Sequence, residues 1–186
     1  MANVNRPNGF KPVGTISGSP WSGAVRKYSC DASSGAIFPG DLIKLEADGK
    51  AEAAAAGDTQ LIGVCVGIVV DRDVAATEHP GYKPATTAGE ILVCIAPDAL
   101  YEAQEDGDTT DLALTDIGAN VDMVDAGGST VTGQSVQMID SDSATASGSA
   151  QLRIVDFIDR PDNAIGDYAR WVVRIHESHF TTANGV

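Results

Sequence analysis

The sequence predicts an all-β protein, a small β-barrel or β-sandwich with an extended N-terminal arm and one short helix. Three observations carry that prediction. Apolar residues come in short runs rich in Val and Ile, the runs are separated by Gly, Pro and Asp-Gly turn signals, and only one brief stretch reads as helical. The chain of 186 residues is long enough to bury a substantial core, and its 43% apolar content is that of a folded domain. The organisation that follows is an arm over residues 1–23 and one β-rich domain over 24–186. An acidic excursion interrupts that domain at about 97–150.

The arm comes first. Asn5-Arg6-Pro7-Asn8-Gly9 and Lys11-Pro12 forbid a helix, and Gly14, Gly18, Pro20 and Gly23 continue the pattern. An extended segment is stable only against a surface, and Phe10, Val13, Ile16 and Trp21 are the groups able to anchor it. Residues 24–29 and 41–45 read as strands, and Asp48-Gly49 is a hairpin signal. The run 61–70 places Ile62, Val64, Val66, Ile68 and Val70 on one parity, which predicts a central strand. Gly63 and Gly67 within it mark bends or close backbone approach. Residues 91–96 are apolar on both parities, as in a strand between two packed layers.

The short helix is predicted over 110–117, with Thr109 or Thr110 as cap, Asp111 near the helix N-terminus and Gly118 after its end. Residues 51–56 read as strand or turn, and the Ser/Ala/Thr/Gly stretch 141–150 reads as a loop. In 151–158 the alternation slips: Leu152 and Ile154 share one parity, Val155 and Phe157 the other, as a β-bulge produces. Arg160-Pro161-Asp162-Asn163 is a turn. Trp171, Val173 and Ile175 then alternate with Arg170, Arg174 and His176 in a half-buried strand.

Charge narrows the function. The net charge is −14, and such a surface repels phosphate backbones, so a nucleic-acid partner is not expected. The longest apolar run, ten residues, is too short to span a bilayer, and no membrane partner is expected. The N-terminus lacks the apolar core of a signal peptide. Cys30, Cys65 and Cys94 are odd in number and widely spaced, which fits buried thiols in a reducing cytosol. The charge is also unevenly laid out. Residues 1–30 hold Arg6, Lys11, Arg26 and Lys27 and no acid, whereas residues 84–152 hold twelve acids and no Lys or Arg. That layout predicts a basic foot and an acidic, outward-facing head.

No catalytic, cofactor or metal site is expected. His176-Glu177-Ser178-His179 lacks the His-Glu-x-x-His spacing of a helical zinc site. Glu105-Asp106-Gly107-Asp108 and Asp140-Ser141-Asp142-Ser143 offer oxygens to calcium, but neither is a complete loop. There is no Gly-x-Ser-x-Gly elbow, and Gly63 and Gly67 do not precede a helix as phosphate-loop glycines do. Cys65 and Cys94 lie in apolar runs, and Asp71-Arg72-Asp73 reads as an ion pair at a strand end.

Three stretches of the chain carry a shared pattern. The first is Asn5-x-Pro7-x-Gly9-Phe10-Lys11-Pro12-Val13 with Gly18-Ser19-Pro20 and an aromatic. The second is Ala36-Ile37-Phe38-Pro39-Gly40-Asp41-Leu42-Ile43-Lys44-Leu45, then Asp48-Gly49, Ala56-Gly57-Asp58 and Ile62-Gly63-Val64. The third is Leu152-Arg153-Ile154, Arg160-Pro161-Asp162-Asn163, Val173-Arg174-Ile175 and a closing Gly185-Val186. Together these stretches resemble a family of tailed-bacteriophage head decoration (cement) proteins, virion structural proteins of marine and freshwater phages. The resemblance implies a non-enzymatic all-β protein, made in the host bacterial cytoplasm and carried on the outer surface of an icosahedral head. It implies a homotrimer that bridges neighbouring subunits of the major capsid protein. Arg6, Pro7, Phe10, Lys11, Trp21, Arg26 and Lys27 are then the candidates for the capsid interface, since aromatic and Arg side chains dominate binding energy. The alternative is a head-fibre or host-surface adhesion module of the virion, with its contacts in the middle-third loops. A small β-fold hydrolase would need polar groups converging in a concave pocket.

Overall fold

The computed structural model describes residues 3–70, 79–146, 148 and 150–181. Asp71, Arg72, Asp73, Ser147, Ser149, Gly185 and Val186 lie outside the described residues.

The chain is all-β. Nine strands have three residues or more: β1 (Lys11–Thr15), β2 (Val25–Cys30), β3 (Leu42–Leu45), β4 (Ala51–Ala53), β5 (Leu61–Val69), β6 (Gly89–Cys94), β7 (Ala99–Gln104), β13 (Leu152–Phe157) and β14 (Arg170–Ile175). Five two-residue strands lie between β7 and β13: β8 (Asn120–Val121), β9 (Met123–Val124), β10 (Gly128–Ser129), β11 (Gln134–Ser135) and β12 (Met138–Ile139). They form two antiparallel sheets of five strands, ordered β1-β7-β14-β13-β8 and β2-β6-β5-β3-β4, with β10-β11 and β12-β9 as separate ribbons. Among the described residues the strands close no barrel, so the sandwich is the better of the two predicted architectures.

The main core lies between the sheets. Tyr101, Ala103, Trp171, Val173, Leu152 and Ile154 from the first sheet meet Leu42, Leu61, Val64 and Cys94 from the second. A second core, with Ile37, Ile43, Ile62, Cys65, Ile91 and Val93, covers the opposite face of the second sheet. That sheet is therefore buried on both faces, as the two apolar parities of β6 predict. It also curls, bringing the outer strands β2 and β4 within 8 Å between Cα atoms. Lys83 and Ile37 pair backbone to backbone beside this second core, and the buried Lys83 ammonium donates to Ser34 Oγ at 2.8 Å and Gly35 O at 2.7 Å.

Strand β5 is central, but its β-branched residues do not share one face. Its pairing shifts once against β3, leaving Ile62 unmatched, and again against β6, leaving Val66 unmatched. Each bulge reverses the parity. Ile62 and Ile68 consequently enter the second core, while Val64 and Val66 face the first. The two shifts fall at Gly63 and Gly67. The predicted bulge in β13 is present as well, with Val155 left over between Ile154↔Val173 and Asp156↔Val172.

Three predicted features are corrected. No helix forms over 110–117. A single 3-10 turn, Leu114–Asp116, stands there, because Leu112 is buried with its N–H held by Glu105 Oε2 at 2.9 Å, and Asp116 Oδ2 accepts the Ala113 N–H at 2.8 Å. The acidic excursion begins at Glu105, since Ala99–Gln104 is a body strand with Ala99, Tyr101 and Ala103 turned into the core. The third correction concerns the arm: within it, Lys11–Thr15 is an edge strand paired antiparallel to β7, so this part is not a free extended segment.

Candidate interaction surface at the N-terminal segment

The segment before β1 is strapped to its own body. Asn3 donates to Ala164 O at 2.7 Å and to Asp167 O at 2.9 Å, and its Oδ1 accepts the Ala164 N–H at 2.9 Å. The Arg6 N–H reaches Gln104 Oε1 at 3.0 Å, and Arg6 O accepts from Arg170 Nη2 at 3.1 Å. Gly9 and Gly40 lie backbone to backbone: Gly9 has a φ of +67°, and a Cβ there would collide with Gly40 O. Next to them the Phe10 N–H donates to Gly40 O at 2.9 Å.

The seven predicted interface residues therefore separate. Phe10 is only 1% exposed and belongs to the main core, so it anchors this segment to its own chain and is unavailable to a partner. Trp21 is half-buried against the same core, with its indole nitrogen buried. Lys27 is engaged with Glu90 at 2.7 Å on the neighbouring strand β6. Arg6, Lys11 and Arg26 are exposed, and none has an acidic partner among the described residues. Pro7 lies beside Arg6 and lines a cavity of about 320 Å³ with Asn8, Gln134 and Arg170. A second cavity, about 280 Å³, lies between Phe10, Pro12 and Trp21 on one side and Pro39, Cys65 and Val66 on the other.

Tertiary structure adds a charge cluster of Glu102, Arg160 and Arg170 that the sequence did not bring together. Glu102 on β7 receives Arg160 Nη2 at 3.1 Å and Arg170 Nη1 at 3.2 Å on one oxygen. Arg170 thus links β7 to the strap, and Arg160 joins the same cluster from the turn after β13. Strand alternation alone could have placed Arg170 on the polar face of β14; only the pairing of Val172 with Glu102 puts the three charges together. The basic foot and acidic head are not cleanly separated either: Asn3 shares a cavity with Asp111 and Asp167.

The acidic turns come together. Asp106, Asp108 and Asp140 bring carboxylate oxygens within 4.8 Å of one another. Ser141 bridges Asp106 and Asp108, its N–H donating to Asp106 Oδ1 at 3.1 Å and its Oγ lying 2.9 Å from Asp106 Oδ1 and 3.2 Å from Asp108 Oδ1. Burial and then repulsion from Asp106 push the Asp140 carboxyl above its ordinary value. One converging oxygen from each gives three ligands, against the six or more that calcium takes. A second cluster, Asp31, Glu46 and Asp48, is partly neutralised by Lys50, which reaches Asp31 Oδ2 at 3.2 Å and Asp48 Oδ2 at 2.9 Å. The Ser33 hydroxyl, then Lys50, hold Asp31 down at about 2. His176 and His179 belong to neither cluster.

The thiols sit as core groups. Cys30, Cys65 and Cys94 are free and buried, and burial pushes Cys30 up to about 11 and Cys65 to about 12, far from a thiolate at neutral pH. Two carboxyls are also buried. Asp41 accepts the Phe38 N–H at 2.7 Å and Glu105 the Leu112 N–H, while the second oxygen of each has no donor in hydrogen-bond geometry among the described residues. Burial raises Asp41 to about 7 and Glu105 to about 8.

Fold and surface together define an all-β protein of two packed antiparallel sheets with a strapped basic N-terminal edge. No family model, no curated protein and no solved structure matches the chain. Among the described residues no helix is long and apolar enough to cross a membrane.

Proposed function

We propose that the chain is a non-enzymatic structural protein of a tailed-phage virion. It binds the outer surface of the icosahedral head as a homotrimer and cements neighbouring major capsid protein subunits. The three-part sequence resemblance motivates the reading. The observation that carries it is that Arg6 on the strap, Lys11 on β1 and Arg26 on β2 are exposed and have no acidic partner among the described residues, on a chain with 26 acidic residues. Unpaired cations on a fixed backbone favour an oppositely charged protein surface.

The test is charge reversal. Deleting residues 1–12 would remove Phe10 from the core and is unsuitable. The triple variant Arg6→Glu, Lys11→Glu, Arg26→Glu should lose binding to heads that lack this protein, measured by co-sedimentation, and those heads should release DNA on heating. Undiminished binding or unchanged head stability overturns the reading.

A head-fibre or host-surface adhesion module is the second reading. It is favoured by Val131, 93% exposed between β10 and β11, an apolar group held out from the acidic excursion. In that case Val131→Ser reduces attachment to host cells and the charge reversal does not.

A further inference from the structure

We infer that the cleft between Arg6 and Arg170 is a carboxylate-binding subsite, which receives an acidic side chain of a partner protein. The inference rests on the strap being the partner-facing edge and names the chemistry that edge recognises.

The first argument is charge. Arg160 and Arg170 bind Glu102, Arg160 also contacts Asp162, and Arg6 lines a cavity with Asp162 and Arg170. One positive charge is left over at this place in a chain of net charge −14. Glu102 is already shared by two guanidiniums, and Asp162 contacts Arg160 at 3.6 Å. The surplus falls on Arg6, whose guanidinium has no partner among the described residues.

The second argument is preorganisation. The Arg6 backbone is held on both sides, its N–H by Gln104 and its C=O by Arg170. Arg170 is in turn fixed by Glu102. The cleft of about 320 Å³ beside them contains Asn8, Gln134 and Pro7 and no acidic side chain. The side-chain amides of Asn8 and Gln134 make no hydrogen bond among the described residues, so they remain free to donate. A fixed backbone lowers the ordering cost of binding.

The third argument selects the ligand. A guanidinium matches a carboxylate with two parallel hydrogen bonds. A polyanion such as nucleic acid would meet the repulsion of the whole chain, whereas a single carboxylate on a partner adds one negative charge.

The test uses the full chain and side-chain Nε–Hε NMR signals of arginine. The probes are a capped Ala-Glu-Ala tripeptide, a capped Ala-Gln-Ala control and inorganic phosphate. The Glu peptide should shift the Arg6 and Arg170 signals saturably, and high salt should weaken the effect. Arg6→Gln should weaken it about tenfold, the loss of one charge-assisted hydrogen bond, with the rest of the spectrum unchanged. Absence of a saturable shift, an equal response in Arg6→Gln, or an equal effect of the Gln peptide or phosphate overturns the inference. Peptide binding by a chain that fails to bind heads supports the subsite and removes the virion reading. Head binding without peptide binding removes the subsite alone.

Discussion

The backbone of Gly63 lies against the carbonyl oxygen of Cys94 so closely that no side chain fits between them. Gly63 stands where β5 shifts register against β3, with a φ of +154°. The contact lets β5 cross the second sheet while its side chains switch from one core to the other.

Gly63→Ala is accordingly expected to cost at least about 3 kcal/mol, from strain and from displacement of the β6 backbone. Gly67→Ala is the control. Its nearest neighbour would be Leu92 Cδ1 at 3.8 Å, an ordinary contact, and the cost should stay within about 1 kcal/mol. Urea denaturation of the two variants checks this; equal losses would contradict the role assigned to Gly63.

Glu105 makes stability depend on pH with a definite sign. Its carboxyl keeps its proton in the folded chain up to about 8, whereas the unfolded chain releases it near 4.5. The unfolded state therefore binds fewer protons in that window, so stability is greatest below 4.5 and falls as pH rises through 8. Asp41 acts in the same direction between 3.8 and about 7. The charge of Asp111 adds to the effect of burial on Glu105. Glu105→Gln should flatten the decline of the melting temperature and be more stable than the parent at pH 8. A variant with the parent's pH slope would refute the assignment.

Two buried glutamines fasten the acidic excursion to the second sheet. Gln137 accepts the Leu42 N–H at 2.8 Å and donates to Ala54 O at 3.1 Å. Gln151 accepts the Met123 N–H at 3.2 Å and donates to Ala55 O and Asp58 O, both at 2.9 Å. Gln151→Ala leaves buried backbone groups without partners and should cost about 2–4 kcal/mol. Hydrogen exchange at the Met123 amide should accelerate more than exchange at Val173 in the opposite sheet pairing; uniform change would show that the glutamine is not a local staple.

Phe10 and Arg6 stand four residues apart and should behave oppositely. Phe10→Ala empties a core position and should cost about 3–5 kcal/mol, a fall on the order of 10 °C in melting temperature. Arg6→Ala should change stability by no more than about 0.5 kcal/mol. Calorimetry of both variants decides whether the segment is held by its aromatic or by its charge.

Much of this molecule was legible in local pattern. The alternation Trp171, Val173, Ile175 became a strand with its apolar face inward, the parity slip after Ile154 became a bulge, and Asp48-Gly49 became the turn between β3 and β4. Each is a short-range consequence of side-chain period and backbone sterics. Strand β7 escaped notice because Ala99 and Ala103 carry little hydrophobic signal, and their burial follows from Tyr101 and Trp171 beside them.

What the sequence by itself determined is the β class, the turn positions, the buried thiols and the surplus of acid. Tertiary structure decided which face each residue of β5 serves, that Phe10 belongs to the core, and that Arg160 and Arg170 meet at Glu102, with Arg170 also holding the Arg6 carbonyl. It also brought Asp106, Asp108 and Asp140 together from turns more than thirty residues apart. The reason is physical. Period and turn chemistry act over a few residues, whereas partners across a sheet are chosen by register, and in this chain register is reset at every bulge.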